Sequence, residues 1–131
     1  MQLFRKYPFT PAIFFLIATI ILLTIPGSSI PKSGLFGIQH LDKFVHIGIF
    51  TLLCILFDLP FKRFSISIAR KRNWFITITV LGICFGIAME FVQKYWAINR
   101  SFELGDIVAD SVGCILAFIF SINKLAPKKI I

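Results

Sequence analysis

Residues 74–93 read WFITITVLGICFGIAMEFVQ, and no charge interrupts them before Glu90. A helix needs about 20 mainly apolar residues to cross about 30 Å of hydrocarbon. This stretch supplies them, and it starts on a tryptophan, a residue enriched at the membrane interface. Working outward, three more segments have the same character. Residues 9–26 follow Pro8, carry Pro11 near their start and end at Pro26-Gly27, and prolines are tolerated in a first helical turn. Residues 44–61 are charge-free as far as Phe57, and residues 104–122 carry Asp106 and Asp110 in their first two turns.

The whole chain agrees with this reading. It has 131 residues, 57% of them hydrophobic and 15% charged, with 16 Phe against 2 Tyr and 2 Trp. Its mean hydropathy is +0.87. A soluble domain of this length lacks the volume to hide so much apolar surface. That excludes a cytosolic enzyme, a disordered tail and a disulfide-knotted secreted domain. Cys54, Cys84 and Cys114 each fall inside an apolar run without CxxC spacing, so they are expected as small core residues. The expected fold is all-α: a single-domain integral membrane four-helix bundle made of two transmembrane hairpins. Arg5 and Lys6 ahead of the first apolar run would also suit a signal peptide. No Ala-x-Ala site follows, however, and the run exceeds a typical signal core, so a retained helix is expected.

Lys and Arg concentrate on the cytoplasmic side of membrane proteins. Arg5 and Lys6, then Lys62, Arg63, Arg70, Lys71 and Arg72, then Lys124, Lys128 and Lys129 fall on one side of the predicted spans. Lys32, Lys43, Lys94 and Arg100 fall on the other. Ten against four places both termini in the cytoplasm, and it explains the net charge of +8 without invoking nucleic acid. The Arg70-Lys71-Arg72 run is expected to set topology and to attract anionic lipid headgroups.

The acids follow the opposite rule. Asp42, Glu90, Glu103, Asp106 and Asp110 lie at the outer ends of spans or in an outer loop, and Asp58 alone lies toward the cytoplasm. Glu90 is sixteen residues past Trp74, about 24 Å along a helix axis, near the outer hydrocarbon edge. An aspartate facing lipid at mid-membrane costs at least about 2.5 kcal/mol, so Glu90, Asp110 and His46 are expected to face inward, with partners, whereas His40 and Glu103, in polar loops, are expected as solvated surface. Helical spacing puts Asp42 with His46, Asp106 with Asp110, and Glu90 with Gln93 on common faces. Gly82 and Gly86 continue the Glu90 stripe, and Gly113 and Ala117 continue the Asp110 stripe. Small residues let helices approach closely in lipid. A tightly packed inner half is therefore expected below an outer polar pocket, with Lys43 and Arg100 as its neutralising cations.

Asp42-Lys43-Phe44-Val45-His46 matches the Asp-Lys-x-x-His signature of VanZ-like membrane proteins. Glu90-Phe91-Val92-Gln93, then Arg100, then Asp106, Asp110 and Gly113 resemble that family's Glu-x-x-Gln, Arg and Asp-x-x-x-Asn-x-x-Gly elements in order and spacing. The resemblance covers about residues 42–117 and departs at Asp110, where many relatives carry Asn. It implies a bacterial cytoplasmic membrane protein of the cell envelope. The family takes its name from a protein associated with low-level teicoplanin resistance.

Three functions fit these residues. The first is a binding protein that engages an envelope lipid, a glycan precursor or a glycopeptide, with Arg100 and Lys43 holding phosphate or carboxylate. The second is an enzyme acting on a lipid-linked substrate, with Glu90 or the Asp106/Asp110 pair as base and His46 as proton shuttle. The third is a structural ion-pair network without a ligand. HExxH, phosphate-cradling glycine loops and nucleophile elbows are all missing from the sequence, so catalysis ranks below binding. No cofactor is expected beyond a divalent cation that carboxylates could bridge. Membrane lipids are the expected partners, and the glycine stripes leave oligomerisation open.

Overall fold

The computed structural model describes residues 5–29, Gly34, Ile38 and residues 40–126, and these are helical with short connections and no strands. Helix α1 spans Thr10–Thr24, α2 Leu41–Asp58, α3 Ile68–Tyr95 and α4 Leu104–Lys124. Two 3-10 turns, Gly27–Ser29 and Leu59–Lys62, follow α1 and α2. Lys32, Lys128 and Lys129, which contribute to the charge asymmetry, lie outside the described residues.

Local chemistry explains the boundaries. Pro11 occupies the first turn of α1, where its missing N–H costs nothing. Ile25 turns extended before Pro26 and ends the helix. The resulting 15 residues reach about 22 Å, shorter than the expected span. Helix α2 starts three residues before its predicted edge, from a left-handed His40, so Asp42 and Lys43 belong to its first turn. Ser67 caps α3 by accepting a hydrogen bond from the Arg70 backbone N–H. Arg70, Lys71 and Arg72 therefore lie in the first turns of a 28-residue helix, not in a loop. With its 3-10 extension, α2 joins α3 and α4 as three helices long and apolar enough to cross a membrane.

Helix α4 packs chiefly on α2 and then on α3, while α1 lies against α2 and α3. The close approaches need glycine. A methyl on Gly113 would meet the Ile47 carbonyl of α2 at 2.6 Å, and one on Gly86 would meet Asp110 Oδ2 of α4 at 2.7 Å. Phe50, Cys54, Met89, Cys114 and Ala117 form the apolar interior together with Leu23. Phe14, Phe44, Leu81, Val108 and other large apolar side chains point outward, while His46, Asp58, Glu90, Gln93, Asp106 and Asp110 are buried. Apolar residues outside and polar residues inside are what hydrocarbon selects. Apolar helices of this kind suggest a membrane protein. Cys54 and Cys114 are core residues as expected, whereas Cys84 is exposed on the apolar surface.

Candidate functional site

The starts of α2 and α4 and the end of α3 meet at one end of the molecule. Lys43, in the first turn of α2, donates to Asp42 Oδ2 at 2.9 Å, Glu103 Oε2 at 2.5 Å and Asp106 Oδ1 at 2.6 Å. An ammonium has three N–H donors, so this set saturates it. The oxygens of Asp42, Glu103 and Asp106 lie within 4.8 Å of one another, close enough to ligate one cation. Lys43 already serves as that cation, and a divalent ion would have to displace it.

One turn deeper, His46 sits between the two aspartates of α4. Its Nδ1 lies 2.8 Å from Asp110 Oδ1, and its Nε2 lies 3.8 Å from Asp106 Oδ2. The i, i+4 spacing of Asp106 and Asp110 separates the carboxylates by about 6 Å along the axis. That step lets one imidazole address both. Side-chain exposure falls along this relay from 56% at Asp42 through 25% at Lys43 and 7% at His46 to 1% at Asp110. The relay ends on Asp110 Oδ2, a buried oxygen with no hydrogen-bond partner among the described residues. Leaving such an oxygen unpaired is costly, so the surrounding packing must hold it in place.

The other predicted residues take different roles. Glu90 is buried and accepts from the Glu103 backbone N–H at 3.0 Å, which satisfies an orphan donor ahead of α4. Gln93 donates to the Leu23 carbonyl at 2.9 Å, and Arg100 Nε donates to the Ile25 carbonyl at 3.1 Å. Both carbonyls lie at the C-terminal end of α1, where helical partners run out. The Gly27 N–H adds a bond to the Ile98 carbonyl at 2.9 Å. Asn99, left-handed at φ 56°, brings its carbonyl so close to Gly27 that a side chain there would collide with it.

The structure thus gathers Asp42, Lys43, His46, Asp106 and Asp110 into one relay. It assigns Glu90, Gln93 and the Nε of Arg100 to holding backbone. Asp42 bonds to Lys43, although helical spacing had placed it with His46. Glu103, expected as solvated surface, belongs to the relay; its i, i+3 spacing from Asp106 was the available signal. Asp58 was also missed as a partner. It is fully buried at the other end of α2 and accepts from Ser121 Oγ at 2.5 Å. No local pattern links two residues that far apart.

Beside the relay lies a cavity of about 190 Å³ lined by Leu22, Leu23, Val45 and Ile49 on its apolar walls and by Asp42, His46 and Arg100 on its polar rim. Among the described residues, the Arg100 Nη atoms have no hydrogen-bond partner.

No family model matches the chain. No solved structure matches it. An uncharacterized protein of the fission yeast Schizosaccharomyces pombe is similar, at 38% identity over 81 residues. The matched stretch covers 62% of this chain and 46% of the yeast protein, so the chain corresponds to less than half of that relative.

Proposed function

We propose that this chain is a VanZ-like four-helix membrane bundle with both termini in the cytoplasm, whose opposite end binds the anionic headgroup of an amphiphile. The observation that carries the reading is Arg100 at the rim of an apolar cavity. Its Nε is fixed by the Ile25 carbonyl, while its Nη atoms lack protein partners among the described residues. A guanidinium held in that way offers paired N–H donors to phosphate or carboxylate. Leu22, Leu23, Val45 and Ile49 beneath it suit hydrocarbon. Lys43 is spent on three carboxylates, so Arg100 carries the recognition and His46 lines the same space.

A phospholipid or lipid-linked precursor fits this chemistry better than a free glycopeptide. Similarity to a fission yeast protein also favours a ligand chemistry common to bacterial and fungal membranes. The bacterial cytoplasmic membrane and a link to teicoplanin resistance are what the VanZ-like motifs support.

Native mass spectrometry from phospholipid nanodiscs tests the proposal. Wild type should retain one more phospholipid than Arg100→Gln, which keeps its helicity. If the two proteins retain the same number, binding at Arg100 is refuted. The saturated Lys43 favours a second reading, a structural ion-pair network. Under that reading, Arg100→Gln and Lys43→Met would lower thermal stability with no difference in the lipid retained.

A further inference from the structure

At the far end of α2, about 22 Å along the axis from His46 to Phe61, a second site is built from aromatic residues. Phe61 is its hub. Phe9 and Phe64 meet it edge-on, with ring centroids at 6.0 and 5.3 Å, and Trp74 stacks on it at 5.4 Å. Together with Phe57 and Ile78 they line a groove of about 460 Å³ that Arg70 borders. A separate cavity of about 520 Å³ is edged by Pro8, Pro60, Lys62 and Arg63, which are near Phe9 and Phe61 in the chain. Lys71 is turned inward and donates to the Lys62 carbonyl at 3.4 Å, which fastens this rim to the start of α3.

Charge and shape both say what fits here. Arg5, Lys6, Lys62, Arg63, Arg70 and Arg72 are exposed around this end. Asp58, the acid nearest to them in sequence, is buried against Ser121. Among the described residues, every ion pair lies at the other end of the molecule, so these cations face their surroundings unneutralised. The groove runs along α3 from Arg70 past Trp74 to Ile78, about 12 Å of helix, from a cationic edge through an interfacial tryptophan into apolar surface. An acidic protein segment would match the cations but not the apolar floor leading toward mid-membrane.

We infer that this groove is a binding site for an anionic glycerophospholipid, its phosphate at Arg70 and an acyl chain along Phe57, Trp74 and Ile78. On the topology proposed above, the site faces the cytoplasmic leaflet, where anionic lipid and basic residues meet. It is separate in space from the Arg100 cavity and does not depend on it.

Trp74 and Trp96 are the two tryptophans of the chain, so a Trp96→Phe background isolates Trp74. The protein is reconstituted in vesicles containing equal mole fractions of phosphatidylglycerol and phosphatidylcholine, with bromine on the acyl chains of one lipid or the other. Brominated phosphatidylglycerol should quench Trp74 with a roughly fivefold preference, the order expected of one basic side chain at an anionic lipid. Arg70→Gln should bring the preference to about one with helicity unchanged, while Arg100→Gln should leave it intact. Equal quenching by both lipids would mean ordinary lipid contact and overturn the site. Absence of quenching by either would mean that protein covers the groove, and would overturn it as well.

Discussion

Gly86 and Gly48 both interrupt apolar helices, yet an added methyl group meets opposite surroundings at the two positions. At Gly86 it would press on Asp110 Oδ2 at 2.7 Å and on Asp110 Cβ at 2.9 Å, so α3 and α4 would have to separate. At Gly48 nothing lies within 4 Å. Gly86→Ala should destabilise by about 1–3 kcal/mol through overpacking. Gly48→Ala should be neutral or stabilising by up to about 1 kcal/mol through reduced backbone entropy. Thermal unfolding in one detergent checks both, and similar melting temperatures for the two variants would contradict the packing. The buried His46–Asp110 contact gives a second contrast. Asp110→Ala strands a buried ring N–H at about 1–3 kcal/mol. Asp110→Asn keeps an oxygen acceptor in the same place and should retain most of the stability.

At the scale of elements, α1 is the piece whose attachment was least visible beforehand. It is short; Gln93 and Arg100 hold its C-terminal carbonyls and the Gly27 N–H donates to the Ile98 carbonyl, all contacts to the end of α3 or the loop after it. Gln93→Leu removes a buried donor and leaves the Leu23 carbonyl unpaired, a loss of about 1–3 kcal/mol. Hydrogen exchange should then quicken in residues 10–29 well before it does in α2 or α4. A uniform increase along the chain would mean instead that Gln93 supports the whole fold. The polarity of Glu90, Gln93 and Arg100 near a helix end was legible in the sequence, but their partners, the Glu103 N–H and the Leu23 and Ile25 carbonyls, could not be, because backbone groups carry no sequence signature.

For the whole molecule, the proposed topology makes a separate prediction. In a background without Cys84, Ser101→Cys should react with an impermeant maleimide on intact cells, and Ser65→Cys only after permeabilisation. Both positions are exposed. The reverse pattern would place the polar relay on the cytoplasmic side.

Composition, hydropathy and spacing were enough to identify helices, their approximate bounds, and the faces that carry Asp106 with Asp110 and Glu90 with Gln93. These are local properties: a 3.6-residue repeat and the need for about 20 apolar residues operate along one segment at a time. Which face meets which depended on packing between segments distant in the chain. Only the folded molecule paired His46 with Asp110, surrounded Lys43 with Glu103 and Asp106, turned Gln93 to α1 and sealed Asp58 beneath Ser121. Buried polar groups must find partners wherever the close approaches at Gly86 and Gly113 bring them. Those approaches are set by the shapes of three helices at once, which no stretch of a single helix encodes.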